Sequence, residues 1–462
     1  MLQLQRAARA LALIAGTASS VSAQTLTVGP DPYSYDFTTI QAAIDAAAEG
    51  GTVRVAPGEY SSFVVEKPLT VLGSGPDATV VRIPLNGNPF AFASGIGVDG
   101  VDTGEVRIGG FGMRSDNTFV ESLQGWVEVK FCDAPVALFD LELVVEGLHR
   151  GQRGFFNTFR ARRLVLSDCH VVGAAELPGE IDVDALFPIA NIAFHGAKFE
   201  QSRVWATDCT FEGCATWNCT TTPIPLVGLA PESGVGIFVQ RSELHLGNCS
   251  VRGGSGVTST DTCPPLAGGA GLRSLELSRV EVYTGPQSEI VGGFGADDAP
   301  GGLGAFLDGP TVLFLGPGGA PQGGLDTLGE QANTYLLQAP QSTLIADIGL
   351  WPTLRVADAL VSPGATSSLG LSGNPGAVQF AFLNTTFGSA SAALPLEGEA
   401  FLDPLSAIGL PQLVLDGEGQ GELALQVPAD PSLIDTVLLA QSAEFVGPGL
   451  LLANPIHFAV TP

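Results

Sequence analysis

Asp168, Asp208 and Asn248 each stand immediately before a cysteine, in the stretches "LSDCHVVG", "ATDCTFEG" and "LGNCSVRG". If these stretches stack, Asp168 and Asp208 lie one layer apart, and carboxylates that close repel unless a cation bridges them or they share a proton. The chemistry on offer is therefore a Ca²⁺ site at Asp168 and Asp208, or an acid pair. The plainer expectation is a ladder of turns whose Asp and Asn side chains accept hydrogen bonds from backbone N–H groups. A second set lies in the longer stretches after Gly173, Gly213 and Gly253: Glu180, Asp182, Asp184, Trp217, Glu232 and Asp261. Carboxylates beside an indole suit carbohydrate, the ring stacking on a pyranose while the acids take hydroxyls or Ca²⁺. An ordinary polar loop with a half-buried Trp is the alternative.

The elements that would position these groups repeat. "ARRLVLSDCHVVG" from 161, "QSRVWATDCTFEG" from 201, "RSELHLGNCSVRG" from 241 and "LRSLELSRVEVYTG" from 272 align with apolar columns. The columns are Leu164, Val204, Leu244 and Leu275; Leu166, Ala206, Leu246 and Leu277; Cys169, Cys209, Cys249 and Val280; Val171, Phe211, Val251 and Val282. Each unit opens on another short strand, at "FFNTF", "NIAFHG", "GIFVQ" and "GAGL", and looser copies precede at "GEVRIGGFGMRSDN" and "VALFDLELVVEG". A unit of about twenty residues cannot bury its own apolar face, so copies stack into a continuous core.

Over residues 25 to 310 these repeats resemble the right-handed parallel β-helix proteins of the pectin lyase-like superfamily. The resemblance implies that the helix expected around Ile40, Ala43, Ile44 and Ala47, capped by Asp36 or Thr38 and stopped by Gly50-Gly51, covers the open end of the solenoid. It also implies polysaccharide as partner, yet the catalytic signatures of the superfamily are missing. Gly58 and Tyr60 are followed by Ser62 where pectinesterases carry an acid. "FHGAK" around His195 only partly echoes the polygalacturonase turn, and no pectate-lyase arginine motif is found. A lone His such as His195 is expected to be structural. Nucleophile elbows, P-loops, dinucleotide fingerprints and zinc spacings are also absent, and runs such as "GGAG" and "GPGG" are read as turns.

Cys169, Cys209 and Cys249 are expected to point inward as small hydrophobes. Cys214, Cys219 and Cys263 fall in the insertions, where a bridge from Cys263 to Cys214 or Cys219 would pin two loops; Cys132 is unassigned. From about residue 350, "TLRVADALVSPG", "VQFAFLNTT", "GQGELALQVPADP" and "TVLLAQSAEF" read as strands of an antiparallel β-sandwich.

Residues 1–23 carry Arg6 and Arg9, an apolar run and the small residues Val21-Ser22-Ala23, which reads as a signal peptide cleaved after Ala23. Without its two arginines the chain holds 18 basic against 47 acidic residues, a charge of −29. Nucleic acid and anionic membranes are poor partners for such a chain. Beyond Arg279 the sole Lys or Arg is Arg355.

The expected fold is thus all-β: signal peptide 1–23, a parallel β-helix over 24–310 with an N-terminal capping helix, a linker or final rungs over 311–349, and a β-sandwich over 350–462. The expected function is carbohydrate interaction outside the cell, with Ca²⁺ as the candidate ion and extracellular or cell-surface polysaccharide as partner. The alternatives are a polysaccharide lyase or glycoside hydrolase, with Glu180, Asp182 and Asp184 foremost, and a structural rod presenting the C-terminal module.

Overall fold

The computed structural model describes residues 24–83, 95–114, 120–121, 126–144, 149–150, 154–172, 195–214, 233–256, 267–283, 288–297, 299–317, 320–346, 350–388, 396–402, 406–446 and 449–462. The described residues between 24 and 346 wind into a parallel β-helix. One wall is a ladder that runs from Thr25–Val28 through Val106–Arg114, Val136–Val144, Leu164–Val172, Arg203–Thr207 and Glu243–Gly247 to Thr343–Ala346. A second wall of nine strands runs from Phe63–Val65 to Tyr335–Leu337. A third is shorter, with Thr210–Glu212, Ser250–Arg252 and Glu289–Val291 in register. Every pairing along these walls is parallel, and the strands are apolar on their inward positions because neither face of a rung can be left to water alone.

Single residues in the left-handed region turn the chain between walls. Gly110, Asp140, Asp168, Asp208 and Asn248 stack in register at one bend, with φ between 51° and 80°. Asp and Asn tolerate this conformation better than most side chains, because their short polar groups bond locally. The residue that follows each turn points inward: Phe111, Leu141, Cys169, Cys209 and Cys249 are buried. Among them, Cys169 Sγ lies 3.5 Å from the Leu138 carbonyl and Cys209 Sγ 3.2 Å from that of Thr207. Cys132 is also buried, its Sγ 3.1 Å from the Lys130 carbonyl.

The fourth repeat does not align as the sequence suggested. Val280 pairs with Leu244 and Val282 with Leu246, whereas Leu275 belongs to the nine-stranded wall and Leu277 is 73% exposed. Neighbouring strands share the same apolar alternation, so spacing alone slipped the register by one strand.

The interior changes character along the axis. The N-terminal rungs are filled by rings, with Trp126 edge-on to Phe155 at 5.2 Å and Phe156 and Phe199 each 6.2 Å from Phe211. Beyond Cys214 the two returning segments of each rung meet as glycine against glycine. A zigzag of backbone bonds runs Gly234 N to Cys214 O, Gly254 N to Gly234 O, Gly269 N to Gly254 O, and Gly293 N to Gly269 O, at 2.7 to 2.9 Å. It continues from Gly302 N to Gly293 O and from Gly324 N to Gly302 O, both at 2.8 Å. A Cβ on Gly293 would stand 2.0 Å from the Gly254 carbonyl oxygen, and one on Gly302 1.9 Å from that of Gly269. None of these glycines has positive φ. "GGAG" at 268–271 is therefore no turn; its Gly268 and Gly269 are required by close approach.

The helix Ile40–Ala46 closes the N-terminal end, with Ile40, Ala43 and Ile44 buried. Its cap is Thr39, whose hydroxyl accepts from Ala42 N at 3.4 Å, while Asp36 instead accepts from Thr27 N at 2.8 Å.

Residues 353–460 form a three-stranded antiparallel sheet, which includes Thr353–Val356, Thr366–Ser372 and Gln420–Gln426, and an eight-stranded sheet centred on Val378–Asn384 and Val437–Val446. Leu354, Leu369, Leu371, Leu383, Leu425, Leu438 and Phe458 share one core. This unit is not held out at the tip of a rod. It lies along the first wall of the solenoid, where Val165 and Trp205 pack on Phe401, Leu402 and Leu439. Arg163 reaches Glu399 at 2.6 Å and Arg203 reaches it at 3.1 Å. Asn454 Nδ2 donates to the carbonyls of Ala206 and His245, at 3.2 and 3.3 Å.

Candidate functional site

Where the three-stranded sheet meets the stacked Asp turns, the two units leave a half-open cleft of about 690 Å³. The solenoid contributes Asp168, His170 and Asp208; the C-terminal sheet contributes Arg355, Ser368, Gln420 and Glu422. The left-handed turns explain the solenoid side, because each turns its Asp outward while the next residue is buried. The antiparallel pairing of Arg355 with Gly370 and of Gly370 with Glu422 explains the other. Arg355 needs that glycine, since a Cβ on Gly370 would stand 2.5 Å from its Nε.

His170 is gripped from two sides, with Nε2 3.0 Å from Asp168 Oδ1 and Nδ1 3.2 Å from Thr210 Oγ1. The hydrogen bond to Asp168 is the main reason its pKa is raised, with burial opposing. Asp208 has its pKa raised chiefly by burial, against the hydrogen bond that Asn248 Nδ2 donates to it and with Asp168 repelling. One layer earlier, Asp140 is pushed up to about 7 by burial and by the Asp168 charge. The cleft therefore holds acid–base groups with different proton affinities within a few layers. Asp416 also lines it, but accepts from Glu418 N and Gln420 N at 2.9 Å and serves its own turn.

Asp168 and Asp208 thus come together as the column predicted, and Asn248 is bonded to Asp208 within it. Among the described residues, no group of three or more His, Cys, Asp or Glu side chains is arranged to hold a metal ion. Glu180, Asp182, Asp184, Trp217, Glu232 and Asp261 lie outside the described residues, as do Cys219 and Cys263. Cys214 is buried, and no disulfide joins two described residues. His195 is structural: Nδ1 accepts from Val235 N at 3.2 Å, the ring stacks on Phe238 at 5.3 Å, and burial depresses its pKa to about 3.

Sequence reasoning missed Asp140, His170 and Arg355. Asp140 sits in "VALFDLELVVEG" at the column of Asp168, one layer earlier. Arg355 is the sole basic residue beyond Arg279, and it stands opposite the acids.

No protein-family model matches the sequence, and no match to a curated protein was found. Among solved structures, the chain is similar to tailspike protein 2 of the Escherichia coli O157:H7 bacteriophage CAB120, at 10% identity and TM-score 0.28 over 91% of this chain and 65% of that one. It is also similar to the A-module of Azotobacter vinelandii mannuronan C-5 epimerase AlgE4, at 13% identity and TM-score 0.25 over 67% of this chain and 90% of that module. The AlgE6 A-module gives 14% identity and TM-score 0.20 over 66% and 94%. The chain thus spans just under two thirds of the tailspike's length.

Proposed function

We propose that the protein binds an extracellular polysaccharide in the cleft between the solenoid and its C-terminal sheets. The observation that carries this reading is the lining: carboxylates, an arginine, a histidine, a glutamine and a serine converge from two units on one open volume. Such walls offer many hydrogen bonds and little apolar area, which suits a hydroxyl-rich ligand better than an apolar cofactor. Asp168, Asp208 and Glu422 outnumber Arg355, so neutral saccharide is favoured, or an acidic one that brings Ca²⁺ with it. Export by the segment 1–23 is part of the same proposal and would put the cleft in contact with such polymers.

Calorimetric titration of residues 24–462 with neutral and acidic oligosaccharides, with Ca²⁺ and with EDTA, tests it. Binding should weaken at least tenfold in Asp208→Asn and Arg355→Ala. Binding equally strong in both variants would move the site away from the cleft.

Catalysis on the same polymer is a second reading, favoured by the His170–Asp168 pair beside Asp208. Groups with separated proton affinities at one site can serve as base and acid. Mass spectrometry of a polysaccharide panel after incubation decides this point: shortened products lost in His170→Ala support a lyase or hydrolase, and intact polymers leave binding alone.

A further inference from the structure

The two ends of the solenoid are finished differently. The first rung is covered by the helix Ile40–Ala46 and by the bridge between Val28 and Phe37. The last rung has no such cover among the described residues. Strand Tyr335–Leu337 pairs only with Ala305–Asp308, and Thr343–Ala346 pairs only with Val312–Leu315. Among the described residues, two strands therefore present an unpaired edge of backbone N–H and C=O groups, which is a template for further pairing. The side chains on these strands are apolar and open: Tyr335, Leu336, Leu337 and Ile345 are 38% to 44% exposed.

Charge identifies the occupant. Residues 331–346, bounded by Glu330 and Asp347, contain no charged side chain, although the chain carries 67 of them and a strongly negative total. Edge strands that must stay single are usually blunted by charge, especially lysine. A foreign partner for so acidic a protein would be met by carboxylates that draw its cations. In a two-fold contact between identical chains, by contrast, every charge near the axis meets its own copy and repels, so a self-contact calls for a neutral patch.

We propose that this end is an interface between two copies of the chain, in which the last rungs pair edge to edge about a two-fold axis. The solenoid core then continues from one chain into the other.

Sedimentation velocity on residues 24–462 across micromolar concentrations should show a species of twice the chain mass. Leu336→Lys with Ile345→Lys should return it to the single-chain mass, since four lysines would face one another across the axis. Hydrogen exchange serves as the independent readout should that variant fold poorly: amides of 335–337 and 343–346 in the unaltered protein should be protected more strongly as concentration rises. A single-chain mass at every concentration would overturn the proposal. So would a dimer that survives the two lysines, or exchange at these amides that is indifferent to concentration.

Discussion

Between Phe63 and Phe211 rings stand among the aliphatic side chains of the solenoid interior, whereas between Gly234 and Gly324 aliphatic side chains such as Leu246, Leu272 and Leu307 share it with glycine segments that meet backbone to backbone. Both halves keep the strand spacing of one continuous sheet, so the layer repeat is set by hydrogen bonding along the axis. The width is set by whatever fills the middle. In the ring-filled half, side chains interdigitate and a change of shape can be met by rotamer shifts. Along the glycine column of the other half, the returning segments touch through main-chain atoms that have no rotamers. The polar features divide the same way: Asp140, Asp168 and Asp208 belong to the ring-filled half, the column ends at Asn248, and the cleft therefore opens beside that half.

The contrast can be broken most directly at Gly293. A single methyl there meets the Gly254 carbonyl at 2.0 Å with no side chain to move aside. Gly293→Ala should cost about 3 kcal/mol or more, the upper range of overpacking, as read by urea unfolding. If the variant is as stable as the parent, the close-packed glycine column is refuted. Phe211→Leu, a larger change in volume but in the ring-filled half, should cost only about 1–2 kcal/mol because neighbouring rings can close in.

The smallest effect concerns protons. Asp140 binds its proton more tightly in the folded chain, up to about 7, than an ordinary carboxyl does. Between about pH 4 and pH 7 the native state therefore holds a proton that the unfolded chain has released. Its contribution to stability is fully present at the acid end of that window and is lost as pH rises to about 7. Asp140→Asn should flatten that part of the pH–melting profile and raise stability above pH 7. Asn also tolerates the left-handed turn at this position. An unchanged profile would mean that the turn is better hydrated than its burial implies.

How much of this was legible in the sequence differs by element. The capping helix was, because Ile40, Ala43 and Ile44 repeat on one helical face. The turns at Asp168, Asp208 and Asn248 were as well, because the cysteine that follows each one marks the column; Asp140, followed by Leu141, carries no such mark. The strands of the C-terminal unit were visible as apolar alternation, but their position along the first wall was not. Its contacts join residues such as Arg163 and Glu399, and Asn454 and Ala206, which lie far apart in the chain and follow no local pattern. Arg355 was conspicuous by its isolation, yet only the pairing of its strand with the one that holds Glu422 puts it in the cleft. The glycine column was misread because Gly-Gly is ordinarily a turn signal, and local pattern cannot distinguish a residue that must bend from one that must be thin.

Thinness has an evolutionary side. Every one-base change that replaces a glycine adds at least one carbon, so the column from Gly234 to Gly324 offers mutation no neutral neighbours. The ring-filled rungs can drift one side chain at a time, whereas the glycine positions of the later rungs can change only in concert, by gaining or losing a whole layer. Among relatives that share this architecture, the glycine half should therefore vary in length, while the ring-filled half varies in composition.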